Sequence, residues 1–159
     1  MHVLIHDPYV RVENRQLGQT TLAELLALSD YVVPLAVASA ETENLMGEKE
    51  LRRMKPGAFF INVSRGDLVD EAALARALDS GRIAGCALDV GRDPDQMPTP
   101  ALAARADVIA TPHTAGLSLP AIEHQSMETV AQAAEILKGR APKGAVNAEH
   151  WQRKELLNI

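Results

Sequence analysis

Four stretches of this 159-residue sequence place recognition or proton-transfer groups directly behind runs of apolar residues. His2-Val3-Leu4-Ile5-His6 stops at Asp7-Pro8, and Phe59-Phe60-Ile61-Asn62-Val63 leads into Ser64-Arg65-Gly66. Ile83 to Asp89 ends on its acid, and Val108 to Ala110 leads into Thr111-Pro112-His113. If these runs are strands of one parallel sheet, all four polar groups sit at carboxyl ends of strands, where open α/β sheets gather their ligands. A carboxylate there, such as Asp7, can accept hydrogen bonds from both ribose hydroxyls of an adenosine and repels a 2′-phosphate, which favours NAD over NADP. Taken singly, a strand-end aspartate also serves as a turn residue or helix cap, and a histidine after proline as a solvated loop residue. The coincidence of position carries the reading.

The elements that must position these groups follow from the pattern between them. Thr21-x-x-Glu24 is a capping box, so a helix is expected over Leu22 to Leu28, with a strand at Tyr31 to Pro34 behind it. Glu48 to Lys55 places Leu51 and Met54 on one face and stops at Pro56-Gly57, which predicts a short helix. Asp70 can cap a helix whose Leu74, Ala77 and Leu78 share a face and which ends at Ser80-Gly81. A long helix is expected from Ser118 to Lys138, with Pro120 in its first turn and Ile122, Ser126, Val130, Ala133, Ala134 and Leu137 on one side. Strands that are apolar without alternation predict a mostly parallel sheet, buried on both faces under helices.

Composition narrows the classes. At 47% hydrophobic residues and a net charge of -5, with both signs mixed along the chain, the sequence reads as one globular domain without a basic stripe for nucleic acid or a membrane surface. No apolar run approaches the roughly 20 residues that span a bilayer, and Met1 to His6 does not read as a signal peptide, so a cytoplasmic protein is expected. Cys86 is the single cysteine; it lies within an apolar run and is expected in the core. The five histidines are scattered and no Gly-x-Ser-x-Gly occurs, so neither a metal site nor a serine hydrolase is expected.

The string NVSRGDLVDEAALARALDSGRIAGCALDV (residues 62–90), followed by TPHTAG (111–116), closely resembles the nucleotide-binding half of the D-isomer-specific 2-hydroxyacid dehydrogenases. The likeness extends from about Val3 to Asn147 and includes HDPYV, LAELLALSDYVVPL, ETENLMGEKELRRMKPGAFFINVSRG and GAVNAEH. It implies an NAD-dependent oxidoreductase that interconverts a 2-oxo acid and a D-2-hydroxy acid. By this resemblance Arg65 grips the carboxylate and carbonyl of the substrate, and His113 is the acid/base at its carbonyl oxygen. Asp7 matches the ribose-binding acid, Pro34 lines the adenosine side, and Asp89 holds the nicotinamide carboxamide. Ser64 and Gly116, with Arg65 and His113, complete the implied cofactor contacts.

The sequence departs from the family pattern twice. Where members carry Asp-Val-Phe-Glu-x-Glu-Pro, whose second glutamate pairs with the catalytic histidine, this chain reads Asp89-Val90-Gly91-Arg92-Asp93-Pro94-Asp95. Asp95, nearest in spacing, is the favoured partner for His113, with Asp93 the alternative, and a third possibility is that no acid pairs with it. The Gly-x-Gly-x-x-Gly turn that approaches the pyrophosphate is also absent. The resemblance therefore implies an incomplete Rossmann-like parallel sheet, its first strand and glycine-rich turn missing. Residues 1–142 would form a partial NAD-binding domain and 143–159, with Trp151, a C-terminal tail of a missing substrate domain. The strands at residues 2–6 and 31–34 would lack neighbours among the other three, and completion by rearrangement or by a second copy is expected. The uncovered face of the long helix, around Ile122, Met127 and Val130, argues for the same homodimer. Two functions stand: the dehydrogenase, with a small 2-oxo or 2-hydroxy acid as substrate, and a non-catalytic NAD-binding or protein-interaction remnant.

Overall fold

The computed structural model of the chain describes residues 1–14 and 16–145. The tail expected over 143–159 therefore lies largely outside the described residues. Two compact units divide the chain, Met1–Thr114 and a second that begins at Ala115.

The first unit alternates strands and helices: β1 (Val3–Ile5), β2 (Leu17–Gln19), α1 (Leu22–Leu28), β3 (Tyr31–Val32), α2 (Glu48–Arg53), β4 (Ala58–Asn62), α3 (Glu71–Asp79), β5 (Ile83–Leu88), α4 (Pro100–Ala103) and β6 (Val108–Ala110). Every strand pair is parallel. The strands fall into two sheets, a ribbon of β1 and β2 and a four-stranded sheet in the order β3-β4-β5-β6.

One of the two expectations about strand neighbours holds and the other is corrected. β1 has no neighbour among β4, β5 and β6; it pairs instead with the short strand Leu17-Gly18-Gln19, with Leu4 opposite Gly18. β3 does have one, since Val32 pairs with Phe60 of β4. Two element ends also differ. α2 stops at Arg53 because the Met54 backbone turns extended (φ -54, ψ 147), and β3 ends at Val32, two residues before the buried Pro34.

The caps form as the sequence requires. Thr21 Oγ1 accepts the Glu24 amide at 3.2 Å, and Glu24 Oε2 accepts the Thr21 amide at 3.3 Å. Asp70 Oδ1 accepts the Ala73 amide at 3.0 Å and starts α3.

The core lies on one face of the four-stranded sheet. Leu26 of α1, Leu51 of α2, Leu74 of α3, Phe60 of β4 and Ile83 of β5 are all buried there, and Cys86 joins them. Each such aliphatic or aromatic side chain contributes about 1.5–3 kcal/mol by leaving water. Among the described residues the other face is largely exposed, contrary to the expectation of burial on both sides. Tyr31 is 63% exposed, Phe59 41% and Ile109 71%, so burial alternates along strands whose sequence does not. Tyr31 and Phe59 stack on that face, ring centroids 5.5 Å apart.

The second unit carries α5 (Leu119–Leu137), which starts at Ser118 with proline in its first turn. No residue of α5 is buried, and Ile122, Met127 and Val130 are exposed, as the sequence suggested. Among the described residues no helix is long and apolar enough to cross a membrane.

Candidate active site at the strand ends

The strand register brings the candidate residues together. Asn62 stands opposite Leu88, and Leu88 opposite Ala110, so β4, β5 and β6 end side by side. The ladder continues past the strands, with the Asp89 amide on Asn62 O (3.0 Å) and the Thr111 amide on Leu88 O (2.9 Å). The loops bearing Ser64-Arg65, Asp89 and Thr111-Pro112-His113 therefore leave one rim in parallel.

Asn62 shapes the first of these loops. It is 1% exposed, its Nδ2 donates to Arg65 O at 2.8 Å, and its Oδ1 accepts the Ser64 amide at 3.1 Å. A buried amide with both ends satisfied fixes the backbone around it. Ser64 Oγ donates to Ala36 O at 3.2 Å, which ties this loop to the one behind β3. The Arg65 side chain is exposed. Its Nη1 donates to Ser64 O at 2.7 Å, and its other guanidinium hydrogens make no bond within the described residues, so several donors face outward.

Asp89 is 5% exposed, and its Oδ1 accepts the Thr111 hydroxyl at 2.5 Å and the Thr114 amide at 2.9 Å. The carboxylate thus braces both ends of the turn that presents His113. His113 takes a left-handed backbone (φ 52), and its amide donates to Thr111 O at 3.0 Å. A non-glycine residue held there is sustained by its surroundings. The imidazole is half-buried and has no hydrogen-bond or ion-pair partner among the described residues. Asp95, the favoured partner on spacing, is exposed, and its Oδ1 accepts the Met97 amide at 3.0 Å in a local turn. Asp93 forms no pair with His113 either; its carbonyl accepts the Gln96 amide at 2.7 Å.

Asp7 follows β1, so it stands on the two-stranded ribbon and not on the rim shared by the other three. Its Oδ1 accepts the Tyr9 and Val10 amides at 2.8 and 3.0 Å, and these bonds, Tyr9's first, hold its pKa below the usual carboxylate range. Its Oδ2 has no partner among the described residues. An ionised carboxylate with one oxygen available suits a ribose diol. Pro34 is buried, and Gly116 lies in the short turn Ala115–Leu117 of the second unit.

Sequence reasoning passed over two residues that build this site. Asn62 was legible as a polar residue ending an apolar run. Arg92 was not: its Nε donates to Val69 O at 3.0 Å, and its Nη2 to Asp67 O at 2.8 Å and Asn44 Oδ1 at 2.6 Å. The departure from Val-Phe-Glu also gains a physical reason. A Cβ on Gly91 would lie 2.3 Å from Met97 O, and one on Gly66 would lie 2.1 Å from Gly91 O. Three backbone segments are stacked there, and a phenylalanine at 91 has no room.

Comparison with known proteins places these features in context. The sequence model of the D-isomer specific 2-hydroxyacid dehydrogenase NAD binding domain matches residues 1–115. D-3-phosphoglycerate dehydrogenase 3, chloroplastic, of Arabidopsis thaliana is 35% identical over 151 residues, 93% of this chain and 26% of that enzyme. Glyoxylate reductase of Thermofilum pendens is 37% identical over 130 residues, 82% of this chain and 38% of that enzyme. Among solved structures, the NAD-complexed D-isomer specific 2-hydroxyacid dehydrogenase of Lactobacillus delbrueckii ssp. bulgaricus aligns with a TM-score of 0.81 and 31% identity, over 91% of this chain and 48% of that one. The chain thus spans well under half the length of the curated relatives it matches.

Proposed function

Because the chain belongs to the D-isomer-specific 2-hydroxyacid dehydrogenases and carries their NAD-binding domain, we propose that the protein acts in the NAD-dependent, reversible reduction of a 2-oxo acid to the D-2-hydroxy acid. The observation that carries this reading is the register of β4, β5 and β6, which sets the Arg65, Asp89 and His113 loops side by side. Bound NADH supplies the hydride. Arg65 holds the substrate carboxylate with its outward donors, since a planar guanidinium matches that group. His113 gives a proton from its ring nitrogen to the carbonyl oxygen and takes it back in oxidation. Asp89 keeps the His113 turn in place, and by the resemblance Pro34, Ser64 and Gly116 each contribute a cofactor contact. Asp7 receives the adenosine ribose and disfavours a 2′-phosphate. Asp95 has its turn to leave before it could serve as the acid behind His113.

A homodimer is part of the proposal, supported by the exposed apolar residues of α5. So is a cytoplasmic location, although the Arabidopsis relative is named chloroplastic.

A second reading, a non-catalytic NAD-binding or interaction module, is favoured by the unpaired imidazole of His113. The test is nicotinamide fluorescence during titration of the 159-residue chain with NADH and with NADPH, then NADH consumption over a panel of 2-oxo acids that includes glyoxylate. We expect NADH to bind more tightly than NADPH, Asp7→Ala to erase the preference, and His113→Ala to abolish turnover but not binding. Binding without turnover gives the second reading as an NAD-binding module; failure to bind NADH removes the dehydrogenase and leaves the second reading as an interaction module.

A further inference from the structure

We infer that Arg92 is a positioning residue that clamps segment 65–69 and so sets Arg65 at the rim. This rests on the reading of Arg65 as the substrate carboxylate's partner. The segment directly after Arg65 is held from two sides. On one, loop 43–46 runs along it, with the Asn44 amide on Asp67 O (2.8 Å), the Met46 amide on Leu68 O (2.9 Å) and the Asp70 amide on Met46 O (3.2 Å). On the other, the backbone at Gly91 lies against Gly66 so closely that neither position accepts a side chain.

Arg92 crosses the junction. Its guanidinium donates to Val69 O, Asp67 O and Asn44 Oδ1, lies 3.7 Å from Glu43 Oε1, and its own amide donates to Glu71 Oε1 at 3.1 Å. One side chain thereby joins the loop behind β5 to the segment that follows Arg65 and to the 43–46 loop that runs along it. The carbonyls of Asp67 and Val69 are two residues apart and point at one planar fork. A lysine, with a single compact head, cannot serve both and Asn44 together. Where the family string has its first glutamate, this chain bears a cation turned onto the backbone oxygens of Asp67 and Val69 and the side-chain oxygen of Asn44.

The experiment compares wild type, Arg92→Met and Arg92→Lys as full 159-residue chains. Amide exchange by NMR reports the clamp, and the affinity for oxamate, a 2-oxo acid mimic, in the presence of NADH reports Arg65. We expect the amides of Asn44 and Val69 to exchange about tenfold faster in Arg92→Met. Oxamate affinity should fall about tenfold while NADH affinity stays within about twofold, and Arg92→Lys should recover only part. Unchanged exchange overturns the clamp. Faster exchange with unchanged oxamate affinity overturns the link to Arg65. If wild type binds no oxamate with NADH present, the functional reading falls, and the exchange rates still decide the clamp. Should Arg92→Met not fold, Asn44→Gly, which removes one of the three acceptors and still accepts the left-handed backbone at that position (φ 55), should give a smaller effect in the same direction, and no effect overturns the proposal.

Discussion

Asp89 Oδ1 receives the hydroxyl of Thr111 at 2.5 Å across the ends of β5 and β6. The pairing makes a buried carboxylate, by resemblance a cofactor contact, into the brace of the histidine turn. Asp89→Asn keeps an acceptor oxygen but loses the charge, and we expect stability to fall by about 1–3 kcal/mol. Asp89→Ala should lose more, and Thr111→Val less, because the Thr114 amide still satisfies the acid. Urea unfolding of the three variants checks the order.

Gly66→Ala should be severely damaging. Its Cβ would stand 2.1 Å from Gly91 O, backbone against backbone, with no flexible side chain to give way. A cost of about 3 kcal/mol or more, or failure to fold, is expected. Gly57→Ala is the matched control: it has φ +79 and no atom within 4 Å of the added carbon, so only backbone strain of about 1 kcal/mol is at stake. Equal effects in urea unfolding would refute the close contact.

Cys86 should be silent toward thiol reagents until the chain unfolds. Burial first, then the nearby Asp107 carboxylate, pushes its pKa from 9.0 up to about 12, with Arg105 opposing. The folded state therefore holds the thiol proton more tightly than the unfolded one. That stabilisation is complete below pH 9.0 and is lost as pH rises to about 12. Ellman's reagent at about pH 8, with and without urea, checks the first point; rapid native reaction would contradict the burial.

Glu135 near the end of α5 should stay ionised far into acid. Arg140 donates to it through Nε (2.6 Å) and Nη2 (2.9 Å), Lys138 adds a third bond, and its pKa drops from 4.5 to about 2. Its contribution to stability is present above pH 4.5 and is lost as pH falls to about 2. The group is half-buried and still reached by solvent ions, so about 1 M salt should move the carboxyl NMR titration midpoint back upward. Arg140→Gln should do the same in low salt.

Much of this architecture was legible in the residues. Thr21 with Glu24, and Asp70 before Glu71, announce helix starts through local hydrogen bonds, and those form as read. Leu17-Gly18-Gln19 announces nothing, because a short polar strand is a strand only by virtue of its partner Val3–Ile5. Likewise Phe59-Phe60 signals a strand without telling which ring meets helices and which meets water. The site divides in the same way. Arg65, Asp89 and His113 stand behind readable strands, and their adjacency follows from register. Arg92 reads as one more surface charge, since Asn44, Asp67 and Val69 reach it from 48, 25 and 23 residues away. The partner of the His113 imidazole was left open by the sequence because Asp93 and Asp95 are both near in number, and loop geometry decides what each carboxylate holds.

The exposed side of the four-stranded sheet has a calorimetric consequence. Tyr31, Phe59 and Ile109 are already wetted in the native state, so unfolding hydrates less new apolar surface than a sheet covered on both sides would release. The heat-capacity increment per residue should fall below the usual value of about 12–15 cal/mol/K. With a smaller increment, the curve of stability against temperature flattens, and cooling weakens the fold less than it weakens domains whose sheets are fully enclosed.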